Sequence, residues 1–307
     1  SQLQAYWSYA EKAAGMMPRS WLFIPGDSEK KLSKGPTTGA DALIIDLEDS
    51  VAKARRPIGR KLTCEYLRSA DRSISQLYVR INPLDSDDAL LDLAGIIAGK
   101  PDGLILPKAE TVEDSNRLSY YLEALEVAND CEKGAIKIFP IATETPGAML
   151  TLDGYRNPNP RVSALSWGAE DLSAAIGAST NQDEHGNMAA PYILARSLCL
   201  MAAHAAGVQA VDTVYTDFRN DDGLRLSSIY ARRDGFSGKI AIHPNQVATI
   251  NDAFTPSSEE VEHAQTVIDL FAANPDAGTL SLDGKMLDKP HLTQAERVVA
   301  SARQAGT

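Results

Sequence analysis

The sequence predicts a (β/α)8 barrel carrying a C-terminal extension. Eight short apolar runs are each bounded by turn-forming or charged residues, as buried parallel strands are. Most are followed by a segment with helical spacing, and strand–helix alternation eight times over reads as a barrel. The length of 307 residues suits one barrel of about 250 residues plus an appendage. A doubly wound open sheet is the alternative with the same alternation.

The runs are WLFIPG (Trp21–Gly26), ALIIDLED (Ala42–Asp49), QLYVRI (Gln76–Ile81), GLILPK (Gly103–Lys108), IKIFPIATE (Ile136–Glu144), ALSWGAED (Ala164–Asp171), QAVDTVY (Gln209–Tyr215) and KIAIHP (Lys239–Pro244). Between the fourth and fifth, Thr111 opens a helix. Glu113 and Asp114 fall in its first turn, and Leu118, Leu122 and Leu125 keep helical spacing. Before the seventh, Pro191 opens PYILARSLCLMAAHAAG and Gly207 closes it. After the eighth, a helix is expected from Ser257 to Ala273, with Ser257 or Ser258 as N-cap and Glu259–Glu260 near its positive end. NPDAG then breaks the chain, and Thr279–Thr307 reads as a short extension and a terminal helix. The expected organisation is an N-terminal extension over 1–18, a barrel over 19–273 and a C-terminal lid segment over 274–307.

Hydrophobic residues make up 44% and charged residues 23%, a globular balance that argues against disorder. No run reaches the roughly 18–20 apolar residues of a membrane helix. The first residues lack the basic and apolar regions of a secretory signal. Lys plus Arg total 30 and Asp plus Glu 41, so the net charge is −11. That disfavours general nucleic-acid binding, which rests on neutralising phosphates with cations. Cys64, Cys131 and Cys199 are odd in number and widely spaced. The expectation is therefore a reducing, cytoplasmic compartment rather than a disulfide framework or a zinc site.

Barrel enzymes place their chemistry at the carboxyl ends of the strands. Strand two runs into Asp46, Glu48 and Asp49. Strand three ends at Arg80, four at Lys108, five at Glu144, six at Glu170 and Asp171, seven near Asp212 and eight at His243. Singly, each reads as a solvated strand end or a core ion pair; as a set, they would converge on one mouth. Glu144 and Asp171 are the metal candidates, because Mg²⁺ takes one or two carboxylates and fills its octahedron with waters and substrate oxygens. Two loop carboxylates that stay apart are the alternative. The scarcity of His and Cys around them favours Mg²⁺ or Mn²⁺ over zinc. Arg80 suits a substrate carboxylate, or an ion pair with Glu48 or Asp49. Lys30, Lys31, Lys34, Arg55, Arg56 and Arg60 follow the first two strands and form either an anion site suited to phosphates or a solvated face. His243 reads equally as structural or catalytic.

The motifs RSWLFIPGDSEKKLSKG, DALIIDLEDSV, YVRINP, LILPKAE, ATETPGA, WGAEDLSAAIGA, VDTVYTDF, GFSGKIAIHPNQ and GKMLDKP follow one another along nearly the whole chain. Together they resemble the citrate lyase β-subunit-like group of the HpcH/HpaI aldolase superfamily. Within it, the likeness is to free-standing lyases of citramalyl-CoA or malyl-CoA. The resemblance implies a TIM barrel assembled as a homotrimer or a dimer of trimers. It implies Mg²⁺ on Glu144 and Asp171, and a substrate-binding arginine at Arg80. It places coenzyme A contacts on Phe23, Lys30 and Lys34, on Arg55, Arg56 and Arg60, and near His243. Phe23 stands where relatives often carry tyrosine, so that hydroxyl is missing here. The family's catalytic aspartate, on a segment that covers a neighbouring subunit's site, falls on Asp288. Glu48 is then a second base or an orienter of Arg80.

The implied reaction is retro-Claisen cleavage of a 3-hydroxyacyl-CoA to acetyl-CoA plus pyruvate or glyoxylate. The alternatives are a malyl-CoA-type thioesterase, a citrate lyase β subunit acting on a carrier-protein thioester, an aldolase of free hydroxy acids, and a non-catalytic barrel. The basic cluster and the GKMLDKP tail favour free coenzyme A and a self-sufficient oligomer.

Overall fold

The computed structural model describes residues 17–306, so the expected N-terminal extension lies almost entirely outside the described residues. Eight parallel strands run through it: β1 (Ser20–Pro25), β2 (Ala42–Asp46), β3 (Gln76–Arg80), β4 (Gly103–Leu106), β5 (Lys137–Pro140), β6 (Ala164–Ser166), β7 (Gln209–Asp212) and β8 (Gly238–Ala241). They pair in the order β5-β4-β3-β2-β1-β8-β7-β6. Bridges from Ile138 to Val162 and from Ile141 to Ser166 join the two ends. A closed sheet with every strand beside its sequence neighbour is the (β/α)8 barrel. The doubly wound sheet is excluded, because its strand order reverses.

Strand alternation sorts the side chains. Leu22, Ile24, Leu43, Ile45, Leu77 and Val79 face outward to the helices. Trp21, Ile44, Tyr78, Ile105, Phe139, Val211 and Ile240 fill the interior. Trp21 meets Tyr78 and Phe139 edge-on, with ring centroids 4.9 and 5.0 Å away. Gly103 makes room for this plug, since a Cβ there would lie 2.2 Å from the Tyr78 ring.

The outer layer comprises α1 (Glu29–Lys34), α2 (Arg56–Ser69), α3 (Ala89–Ile96), α4 (Val112–Ala128), α5 (Pro146–Met149), α6 (Ala169–Ala175), α7 (Ala190–Ala206), α8 (Asp221–Asp234) and α9 (Gln246–Phe254). Thr111 and Asp114 form a reciprocal capping box on α4. Pro191 sits in the first turn of α7, and Gly207 ends that helix in a left-handed conformation. Ser257 caps α10 (Ser258–Ala273), with Glu260 closing the box. No helix among the described residues is long and apolar enough to cross a membrane. Cys64 and Cys199 are buried free thiols.

The structure departs from the sequence reading in three places. The strands are shorter than the apolar runs, so Lys108 and Glu144 lie on loops beyond them and Asp171 lies in the first turn of α6. Helix α9 follows β8 before α10 begins. The tail holds an antiparallel hairpin, β9 (Thr279–Leu282) and β10 (Lys285–Asp288), ahead of the terminal helix α11 (Lys289–Ala305). Its turn residues Asp283 and Gly284 both have positive φ, 52° and 76°, as a two-residue hairpin turn requires. Helix α10 and the tail share a small core of Ala264, Val267, Phe271, Leu287, Ala295 and Val299, separate from the barrel's clusters.

Candidate active site

The mouth is built from neighbouring strand ends. Asp46 closes β2 and stands opposite Arg80 at the end of β3, both with the interior parity of Ile44 and Tyr78. Arg80 donates from Nε to Asp46 Oδ1 at 2.7 Å and from Nη2 to Oδ2 at 2.8 Å. The backbone N–H groups of Glu48 and Ser50 also donate to Asp46, so this nearly inaccessible carboxylate is saturated. Burial works against its charge, but the bonds from Arg80 outweigh it and hold the carboxyl below its ordinary value. Burial likewise opposes the Arg80 charge, and Asp46, Glu48 and Asp49 outweigh it, so the guanidinium is held above its ordinary value. Nη1 remains directed at Glu48 Oε2, 3.2 Å away, and at Asp49, 3.6 Å away. The Phe23 ring lies under the guanidinium, 4.5 Å from its centroid. The Arg80 side chain is thus held in place, with Asp46 as its main partner and Glu48 and Asp49, the partners the sequence offered, at longer distances.

Lys108 joins the rest. Its backbone N–H donates to Glu144 Oε2 at 2.5 Å. Its ammonium lies 2.5 Å from Glu48 Oε1 and 3.4 Å from Asp171 Oδ1. Burial lowers the affinity of this amine for its proton, and the bond to Glu48 more than restores it, so the ammonium is held above its usual value. Glu48 and Glu144 are 3% and 4% exposed. Burial raises the Glu48 carboxyl, with Arg80 opposing. Burial pushes Glu144 up to about 8, with the neighbouring Asp171 and Glu48 charges adding to the shift. Gly168 permits this packing, because a Cβ there would sit 3.0 Å from Glu144 Cγ.

Four carboxylates, Asp46, Glu48, Glu144 and Asp171, therefore face the two cations Arg80 and Lys108. Glu48 Oε2 is buried and accepts no hydrogen bond. An acidic surplus with all-oxygen donors fits a hard divalent cation such as Mg²⁺. Among the described residues, no group of three or more His, Cys, Asp or Glu side chains is arranged to enclose a metal. A cation here would take Glu144 and Asp171 and complete its shell with other oxygens.

Other residues singled out in the sequence lie elsewhere. Asp212 does not reach the mouth, because its parity on β7 is that of the outward-facing Ala210. It is buried against the helices, 2.6 Å from Lys239 Nζ, and accepts from Trp167 Nε1 at 2.8 Å. Arg55 pairs with Asp27 at 2.5 Å, Arg56 with Asp88 at 2.5 Å, and Arg60 with Asp88 and, at 2.7 Å, Asp92. Lys30 and Lys34 are exposed on α1. His243 stacks on Phe218, centroids 5.0 Å apart, and lines a cleft of about 540 Å³ with Arg219 and Asn245. Asp288 ends β10 in the tail, where its Oδ1 lies 2.6 Å from His291 Nδ1. Asp46 and Lys108 are what the sequence reading underweighted. Strand parity could have found Asp46, whereas Lys108 depends on a positive φ of 51° that no motif announces.

The HpcH/HpaI aldolase/citrate lyase family model matches residues 19–244. Mouse mitochondrial citramalyl-CoA lyase is 32% identical over 304 residues, covering 92% of this chain and 86% of its own. The citrate lyase β subunit of Haemophilus influenzae is 32% identical over 287 residues, covering 93% and 97%. The crystal structure of CitE from Mycobacterium tuberculosis in complex with magnesium, acetoacetate and coenzyme A superposes with a TM-score of 0.76 at 30% identity, covering 96% of this chain and all of that one. With its closed barrel and its acidic mouth, the chain belongs to the HpcH/HpaI aldolase/citrate lyase family.

Proposed function

We propose that this protein is a carbon–carbon lyase that cleaves a 3-hydroxyacyl-CoA, citramalyl-CoA or malyl-CoA, to acetyl-CoA plus pyruvate or glyoxylate. The observation that carries this reading is Arg80, locked by Asp46 beside the acidic surplus of Glu48, Glu144 and Asp171. A fixed guanidinium next to oxygen donors suits a small hydroxy- or oxo-carboxylate. The activities of the mouse and Haemophilus relatives, and the ligands of the CitE structure, support a thioester substrate and a magnesium ion.

Glu144 and Asp171 would hold Mg²⁺, which when bound supplies Lewis acidity and a template for substrate oxygens. Arg80 meets the carboxylate of the leaving oxo acid and offsets the charge that grows there. Glu48 keeps Nη1 of Arg80 aimed through Oε2 and stands close enough to that guanidinium to act as a second base toward the proton of the C3 hydroxyl. Asp288, contributed by a neighbouring copy in a homotrimer, protonates the acetyl-CoA enolate. Phe23 and His243 contact the coenzyme. Arg56 and Arg60 are bound to Asp88 and Asp92 and largely covered, whereas Arg55, though paired with Asp27, keeps half of its side chain exposed, so the coenzyme phosphates fall mainly to Lys30, Lys34 and Arg55. Binding energy from that remote part positions the reacting carbon.

The test is a product assay with purified protein, Mg²⁺ and (S)-citramalyl-CoA, run in parallel with malyl-CoA. Pyruvate or glyoxylate should appear together with acetyl-CoA. Free coenzyme A beside an intact hydroxy acid would instead mean thioester hydrolysis and would overturn the lyase reading. Asp288→Asn should lower kcat by about 10²–10⁴-fold, the usual contribution of a proton-transfer group, while calorimetric Mg²⁺ affinity stays at the wild-type value. Wild-type turnover in that variant would remove Asp288 from the chemistry.

A further inference from the structure

Lys108 holds a backbone conformation that side chains disfavour, with φ 51°. That conformation turns both ends of the residue onto the acidic cluster. The N–H faces Glu144, and the ammonium reaches Glu48 at 2.5 Å and Asp171 at 3.4 Å. The side chain is 32% exposed, so water screens these charges only in part. A cation tethered to the chain thus stands beside the carboxylates assigned above to the metal. Two positive charges a few ångströms apart in such a site repel one another strongly.

We propose that Lys108 is a built-in competitor of the magnesium ion. Its ammonium keeps Glu48 and Asp171 together while the metal is away, then gives up Asp171 and retains Glu48 when the metal binds. The unequal distances fit this exchange, since Glu48 is the close partner and Asp171 the distant one. Lys108 is accordingly a positioning residue that sets metal affinity. The inference rests on Glu144 and Asp171 being the magnesium carboxylates.

The experiment titrates metal-free wild type, Lys108→Met and Lys108→Arg with MgCl2 by calorimetry and follows thermal unfolding with and without the salt. Lys108→Met should bind Mg²⁺ about tenfold more tightly or better, whereas Lys108→Arg, which keeps the charge, should stay within about threefold of wild type. Metal-free Lys108→Met should melt below wild type, and Mg²⁺ should raise its Tm by more than it raises the wild type's. Lys108→Gly takes the left-handed backbone freely and keeps the N–H to Glu144. It should show the same tightening if the Met variant does not fold. If wild type binds Mg²⁺ and neither uncharged variant binds it more tightly, the competition is refuted and the metal assignment stands. If wild type binds no Mg²⁺, the metal assignment falls and the competition with it.

Discussion

Two buried glutamates show how differently one side chain behaves in two parts of the barrel. Glu126, on α4, is fully enclosed and receives Arg161 Nη1 and Nη2 at 2.6 and 2.7 Å, plus the backbone N–H groups of Gly134 and Ile136. Arg161 in turn donates to Ser119 and to the Ile136 carbonyl. Burial opposes the Glu126 charge, but these donors outweigh it, and its carboxyl stays below the ordinary value. Glu144, equally enclosed, has the Lys108 N–H as its hydrogen-bond donor, sits near two like charges, and rises to about 8. One acid balanced by one base is architecture. A surplus of acid held at a strand end is an invitation to a cation, and that contrast separates the site from the scaffold.

Substitutions break or sharpen the contrast. Arg80→Met should do the most damage. It should lower kcat by about 10²–10³-fold through loss of a preorganised donor, and lower stability by about 3–5 kcal/mol because Asp46 is left buried and unpaired. The product assay and urea unfolding read the two losses separately. Glu126→Gln should cost about 3 kcal/mol at neutral pH and leave kcat unchanged in the protein that remains folded. A carboxyl held below its unfolded value of 4.5 stabilises the fold above that value and ceases to do so as pH falls through its folded value. The gap between wild type and Glu126→Gln should therefore close in acid, as unfolding at pH 7 and pH 3 would reveal.

Glu144→Gln should have the opposite sign in the metal-free protein. Above 4.5 the unfolded carboxyl ionises while the folded one stays protonated up to about 8, so wild type loses stability and the variant should gain on it as pH rises through that window. Its Mg²⁺ affinity should fall at the same time, and unchanged calorimetric affinity would count against the metal assignment. The smallest effect belongs to Ser119→Ala, which removes one hydrogen bond at 3.1 Å from Arg161 and should cost about 1 kcal/mol in urea unfolding.

Much of this arrangement is legible in the sequence. Eight apolar runs mark the strands, because a strand buried on both faces has no polar alternation to hide it. Thr111, Ser257, Pro191 and Gly207 mark helix ends through local chemistry that tertiary packing leaves intact. What depends on direction is harder to see. Asp212 and Arg80 both close a strand, yet one faces the helices and the other the interior, and only register separates them. Asp171 reads as a strand end because WGAED continues an apolar run, although the first turn of a helix also favours acids. The tail hairpin carried a readable Asp283–Gly284 turn, masked by the weak apolar content of the short strands around it. Lys108 depends on a backbone twist fixed by its surroundings, and sequence spacing holds no trace of it.

The wedge of Trp21, Tyr78 and Phe139, seated over the bare backbone of Gly103, turns the barrel into a blind alley. On the lyase proposal, a small oxo acid held at Arg80 would then have the mouth alone as its way out, behind whatever part of the coenzyme still covers it.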